Sequence, residues 1–217
     1  MPIAARHRDD APPRLEALDG LIVRRVVSAT SMAALQGRIV DEMERRFAEG
    51  HRAYVAWHDG EPAGWGWVAT RTASIGELAS TFAVPPGERY LWNFVTLAPF
   101  RGLGIYPRLI DHIVTAESRE AERFWIAYAP ENHASAAGIR RAGFLTLAEL
   151  SFDAKGSAAV RELTPGGGLL AAGLLGLPEA QDALAPCWRC VRAGHAVSCA
   201  AGECRCDYQR AKSGCAA

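Results

Sequence analysis

The sequence predicts a mixed α/β fold: one sheet with an antiparallel front half, helices packed against it, and a small cysteine-rich C-terminal extension. Three observations lead there. Two strand-like runs flank "HDGEPAG", whose Asp-Gly and Pro make a turn and so predict a hairpin. The apolar run "YLWNFVTL" leads through "RGLGIY" into a helical pattern, so strand and helix also alternate. All six cysteines fall after residue 186, which sets the last segment apart in composition.

In chain order, residues 1–19 read as a polar, proline-bearing leader, and "GLIVRRVVS" as a first strand rich in branched residues. From Thr30 to Gly50, Leu35, Ile39, Met43 and Phe47 recur every four residues. Thr30 or Ser31 is positioned to cap that helix, Gly50 to stop it, and Gly37 to divide it in two. Ala53 to Trp57 and Gly64 to Thr70 form the hairpin, and "ERYLWNFVTL" the next strand. Ile105, Leu109 and Ile113 share a helical face with Ile110 and Val114; Pro107 falls in that helix's first turn, where an amide has no intrahelical partner. "RFWIAYA" is a further strand, "NHASAAGIRRAGF" a short helix closed by Gly143, and "LTLAELSFD" a last strand. The domain is thus expected over 20–155. A linker with a short apolar helix follows over 156–186, with "TPGGG" as its hinge, and a cysteine-rich tail over 187–217.

The 217 residues allow one full domain and a small appendage. Lysine plus arginine equals aspartate plus glutamate, 24 each, so no net field is available for nucleic acid or an anionic membrane. The longest apolar stretch, "GLLAAGLLGLP", is too short to span a bilayer, and the first residues lack the apolar centre of a signal peptide. The expectation is a cytoplasmic protein without nucleic-acid or membrane partners.

Two glycines and an arginine in the turn of "RGLGIY" bring backbone amides close to a ligand at a helix start, where an anion is favoured. A dinucleotide fingerprint fails because its third glycine would fall on Pro107, and a P-loop fails because Pro107 and Arg108 stand where Lys and Ser or Thr are needed. Arg101, Gly102, Leu103, Gly104, Ile105 and Tyr106 fit Q/R-x-x-G-x-G/A, and Asn132 through Gly143 and Phe144 fit a second motif at matching separation. On these two motifs the chain resembles the GNAT acyltransferases over roughly residues 20 to 153.

That resemblance implies an N-acetyltransferase that moves an acetyl group from acetyl-CoA to a small-molecule or peptide amine. Backbone amides from Gly102 to Tyr106 would hold the CoA diphosphate, and Phe94, Val95 and Thr96 on a splayed strand would pair with the pantetheine arm. Asn132 would reach toward that arm, Ser135 and its small neighbours would keep their helix thin, and the helix of Leu35 to Phe47 would wall the acceptor pocket. Two positions depart from the pattern. Tyr106 replaces a small residue, and Ile139 stands where the family often has its tyrosine acid.

The candidate bases are Tyr90, at the place of the family's frequent strand glutamate, and Glu88, one step outward on the same face. The candidate acids are His133 and Tyr128. Asn93, unusual inside a strand, is a possible substrate contact, while Trp92 reads as core and His112 as solvated. The alternating Trp57, Trp65 and Trp67 read as a packed sheet face. A catalytically degenerate acyl-CoA-binding or protein-interaction module is the alternative. In the tail, Cys187 and Cys190 form a C-x2-C pair, and Cys199, Cys204 and Cys206 follow. Such spacing suits a structural zinc site, with disulfides or redox-active thiols as competing readings and Cys215 outside the ligand set.

Overall fold

The structure is a computed structural model that describes residues 1–76, 80–152 and 157–180. Its strands are β1 (Pro2–His7), β2 (Leu21–Val26), β3 (Arg52–His58), β4 (Glu61–Ala69), β5 (Thr72–Ile75), β6 (Ser80–Ala83), β7 (Glu88–Thr96), β8 (Arg123–Ala127), β9 (Leu145–Phe152) and β10 (Ala158–Glu162). The helices are α1 (Ala29–Gln36), α2 (Val40–Ala48), α3 (Ile105–Glu117), α4 (His133–Arg141) and α5 (Gly167–Leu175). Eight strands form one sheet in the order β10-β9-β1-β8-β7-β4-β3-β2, and β5 and β6 form a separate hairpin. Neighbours in the large sheet run antiparallel except β7 and β8, which are parallel.

Local chemistry accounts for most elements. Gly37, at φ 62, ends α1 and separates it from α2, whereas the cap of α1 is Ser28, which accepts from the Ser31 amide; Thr30 and Ser31 lie inside the helix instead. The β3–β4 turn narrows to Asp59 and Gly60, both at positive φ (50 and 84), the pair a tight two-residue hairpin turn demands. The core has a layer on each face of the sheet. Leu91, Phe124 and Ile126 meet Ile105, Leu109 and Ile113 of α3 and Ile139 of α4 on one face. Trp65 and Trp67 meet Met32 of α1 and Met43 of α2 on the other, where α5 also packs against Leu150 and Val160. The expected tryptophan face is there: Trp65 and Trp67 are buried and Trp57 packs beside them.

Two expectations change. The first residues are not a leader: β1 lies inside the sheet, with Ile3 opposite Ala127 on β8 and Ala148 on β9. Only Ile3, Ala4 and Ala5 give it an apolar signature, because the next buried residue is charged. Arg6 is 4% exposed and donates through Nη1 to Asp111 (2.7 Å) and to the Ala142 carbonyl (3.0 Å). Residues 158–175 are not a linker either, since β10 extends the sheet and α5 buries Ala171, Leu174 and Leu175. "TPGGG" makes the turn between them. Gly166 (φ 76) caps α5, and a Cβ on Gly167 would stand 2.7 Å from the Leu147 carbonyl oxygen.

A buried ionic cluster ties α3 to the sheet. Glu117, 1% exposed, accepts from Arg52 (2.5 Å), Arg89 (3.0 Å) and the Tyr54 hydroxyl (2.7 Å).

Candidate active site

Beyond β7 the chain makes a 3-10 turn at Ala98–Phe100, then passes Gly102 (φ 86) and Gly104 (φ 73) into α3. Left-handed backbone at both positions explains the glycines. Gly104 caps α3 without a side chain, and among the described residues the amides of Gly102, Leu103 and Gly104 donate to no backbone carbonyl. Three arginines border this turn. Arg101 Nε donates to the Thr96 carbonyl (3.1 Å), Arg108 Nη1 donates to the Gly104 carbonyl (2.8 Å), and a Cβ on Gly104 would lie 3.9 Å from Arg141 Nη2. Unpaired amides, a helix start and nearby guanidinium groups fit a diphosphate.

The sheet opens beside this turn. β7 pairs with β8 from Glu88 opposite Arg123 to Leu91 opposite Ile126, and from Trp92 onward the two strands part. On its other side β7 bulges against β4: Trp67 faces Trp92 and Trp65 faces Val95, so Gly66 stands opposite two residues. Asn93 takes the bulge at φ 50, which accounts for an asparagine in mid-strand. Phe94 uses the space left by Gly66, where a Cβ would be 2.6 Å from Phe94 Cζ. Phe94, Val95 and Thr96 therefore offer a strand edge to the opening.

Tyr106 lines the same opening. Its ring packs edge-on to Phe94 (centroids 5.5 Å apart), lies against Gly138, and its hydroxyl is 3.1 Å from Ser135 Oγ. Burial pushes its phenol up to about 12. Asn132 caps α4, its Oδ1 accepting from the Ser135 amide (3.0 Å), so that oxygen points into the helix start. Ile139 is buried in the core and carries no proton to donate.

The candidate acids and bases are not brought together. Glu88 gives one oxygen to Arg123 (2.8 Å) and the other to the Trp125 indole (2.5 Å), on the paired stretch of β7. Tyr90 is buried on that stretch, edge-on to Phe82 (5.2 Å). Tyr128 follows β8 at the opening, with its hydroxyl 3.2 Å from Thr146 Oγ1, and His133 is the exposed first residue of α4. His112 is exposed, its ring 6.4 Å from that of Tyr54.

On the α2 face, a cavity of about 310 Å³ lies between α2, the β5–β6 hairpin and Trp92. The Arg46 guanidinium sits over two indoles, 4.8 Å from the centre of Trp92 and 5.1 Å from that of Trp67, and donates through Nη2 to Glu42 (2.6 Å). His51 meets Trp92 edge-on at 5.1 Å and lies 3.7 Å from Glu49; burial holds its pKa below the ordinary value. This cluster and the Tyr106–Ser135 pair went unread in the sequence, because each joins residues from separate elements and no local spacing marks either.

Cys187, Cys190, Cys199, Cys204 and Cys206 lie outside the described residues, as do Cys215 and the zinc reading that rests on this tail. Among the described residues, no group of three or more His, Cys, Asp or Glu side chains could hold a metal, and no helix is long and apolar enough to cross a membrane.

A sequence model of the acetyltransferase (GNAT) family matches residues 27–144, more than half of the chain. The chain belongs to the GNAT acetyltransferase family. The match contains both the glycine turn and the α4 motif of this GNAT domain. Solved structures similar to it include a GCN5-related N-acetyltransferase from Kribbella flavida, with 18% identity and a TM-score of 0.46 over 67% of this chain and 53% of that one. A GNAT-family acetyltransferase from Streptococcus pneumoniae has 14% identity and a TM-score of 0.45 over 60% of this chain and 89% of its own. An aminoglycoside N-acetyltransferase in complex with CoA has 17% identity and a TM-score of 0.42 over 57% and 91%. The GNAT chain thus spans about half the length of the Kribbella protein. No protein of curated function matches its sequence.

Proposed function

We propose that the protein is an N-acetyltransferase that moves an acetyl group from acetyl-CoA to an amine by direct attack in a ternary complex. The observation that carries this reading is the parting of β7 and β8 after Leu91 beside a glycine turn whose amides lack backbone partners. The amides from Gly102 to Tyr106 hold the diphosphate, helped by Arg101 and Arg108, and the free edge of Phe94 to Thr96 takes the pantetheine arm. Acetyl-CoA supplies the activated acyl group. A backbone amide of the splayed strand near Val95 polarises the thioester carbonyl, and α1 and α2 wall the acceptor.

The amine nitrogen forms a bond to the carbonyl carbon, the carbon–sulfur bond breaks, and one proton passes from nitrogen to the departing thiolate. Tyr128 and His133 flank the opening and are the proton donors in this reading. Glu88 and Tyr90 contribute through structure, since Glu88 has both oxygens engaged and Tyr90 is buried on the paired stretch. Positioning supplies much of the rate.

The buried Ile139 and the Tyr106 ring in the opening favour a second reading, an acyl-CoA-binding module without turnover. Calorimetric titration with acetyl-CoA and thiol release in the presence of amines test both. Binding with amine-dependent release supports the transferase, binding without release the module, and no uptake refutes both.

A further inference from the structure

Helices α3 and α4 begin at the same end of the sheet. α3 comes after β7 and α4 after β8, and because these two strands run parallel and part toward their C-terminal ends, the first turns of both helices flank the mouth of the opening. Tyr106 is the second residue of α3 and Ser135 the third of α4, and their hydroxyl oxygens lie 3.1 Å apart. That contact bridges the mouth from one helix start to the other.

The surroundings are shaped to the bridge. A Cβ on residue 138 would stand 2.8 Å from Tyr106 Cε1, so only a glycine there lets the ring reach Ser135. Phe94, on the stretch of β7 that has left β8, braces the ring edge-on at 5.5 Å. A hydroxyl held by two helices and a strand binds a ligand at little further cost in side-chain entropy. Neither residue is sealed, since Tyr106 and Ser135 are both partly exposed.

The bridge also keeps hydrogen-bonding capacity. Two hydroxyls joined by one hydrogen bond retain one hydrogen to donate and lone pairs to accept. The Asn132 oxygen is not spare in the same way, because it accepts from the Ser135 amide at the start of α4. On the other side of the opening, the free edge of Phe94 to Thr96 offers backbone groups. A ligand anchored by its phosphates at the glycine turn and extended into the opening runs between these two walls. Amides in such an arm lose water there and need partners on both sides.

We infer that the Tyr106 and Ser135 hydroxyls together bind an amide of the pantetheine arm of CoA and hold the arm against the edge of Phe94 to Thr96. The inference rests on the CoA-binding reading above and assigns neither hydroxyl a part in proton transfer.

The test compares CoA with adenosine 3′-phosphate 5′-diphosphate, which keeps the nucleotide and the linked phosphates and lacks the arm. Affinities for the full chain come from calorimetry, by direct titration or by competition with CoA. Tyr106→Phe preserves the ring and its brace, and is expected to bind CoA about fivefold more weakly, the factor that one ordinary hydrogen bond supplies, while binding the truncated nucleotide as the parent does. Ser135→Ala is expected to change the two affinities in the same selective way. A role confined to packing α3 against α4 would weaken both ligands together, and that result overturns the inference. Unchanged or tighter CoA binding in Tyr106→Phe also overturns it. Failure of the parent to bind CoA at all instead overturns the CoA-binding reading.

Discussion

The ring of Tyr106 fills the space that a side chain on Gly138 would need: a Cβ there would stand 2.8 Å from Tyr106 Cε1 and nearer still to Cδ1. Helices α3 and α4 approach closely beside the opening only because residue 138 has no side chain. Gly138→Ala must push the ring outward, and such overpacking typically costs about 1–3 kcal/mol. The variant is expected to unfold earlier in urea and to bind acetyl-CoA more weakly. Tyr106→Phe keeps the ring, loses only the link to Ser135, and is expected to cost about 1 kcal/mol. Denaturant titration and calorimetry of the two variants separate crowding from hydrogen bonding.

The two turn glycines are expected to behave differently. Both have positive φ, but a Cβ on Gly104 would press on Arg108, while none of the neighbouring atoms lies within 4 Å of one on Gly102. Gly102→Ala should lose only about 1–2 kcal/mol of stability from left-handed backbone. Gly104→Glu places a carboxylate at the amides assigned to the diphosphate and is expected to abolish acetyl-CoA binding in calorimetry. Unchanged affinity in Gly104→Glu would refute that assignment.

Glu117 is the acidic centre of the cluster joining α3 to β3 and β7, accepting from Arg52, Arg89 and Tyr54. Removing it leaves Arg52 and Arg89 with the exposed Glu120 as their remaining carboxylate (2.5 and 3.2 Å) and the Tyr54 hydroxyl without its acceptor, and breaking a buried pair costs about 3–5 kcal/mol in comparable cases. Glu117→Ala should therefore lower the midpoint of chemical unfolding more than Glu42→Ala, which breaks a single pair on α2.

His51 gives stability a pH dependence. Burial lowers its pKa below the ordinary 6.5, as do Arg46 and Arg71, while Glu49 opposes them. Between the folded and ordinary values, the unfolded chain binds a proton that the folded protein does not, so stability from this group is complete above about 6.5 and falls as pH drops through the folded value. Melting between pH 5 and 7.5 should show His51→Gln with a shallower acid-side decline than the parent. Equal slopes would remove His51 as the cause.

Some of this architecture was legible because glycine and its neighbours report backbone geometry directly. Gly37, Asp59-Gly60, Gly104 and Gly143 sit where a positive φ ends a helix, turns a hairpin or opens one, and the sequence showed each as punctuation. Asn93 was visible as an anomaly, and its φ of 50 explains it. The parting of β7 and β8 was not legible in the residues themselves, because a pair of strands can separate without changing the alternation of either. The roles of Glu88 and Arg6 were hidden for a related reason. Alternation gives the face of Glu88, but Arg123 and Trp125 come from another strand. A buried arginine reads as surface until Asp111 and the end of α4 are brought beside it. The glycines near 166–168 signalled a break, and the burial of α5 makes that break a tight turn inside the domain.

The place of β1 in the sheet sets the order in which the molecule can be completed. Ile3 lies opposite Ala127 and Ala148, residues translated more than a hundred positions later. At about 5–20 residues per second on the ribosome, this strand waits on the order of ten seconds for either neighbour to emerge. Until then β1 has no strand to pair with, and the half of the sheet that carries α5 cannot close. Contacts this distant in sequence slow folding. Nascent chains arrested before residue 123 should therefore lack protease resistance in β1, however well the β2–β4 half has formed.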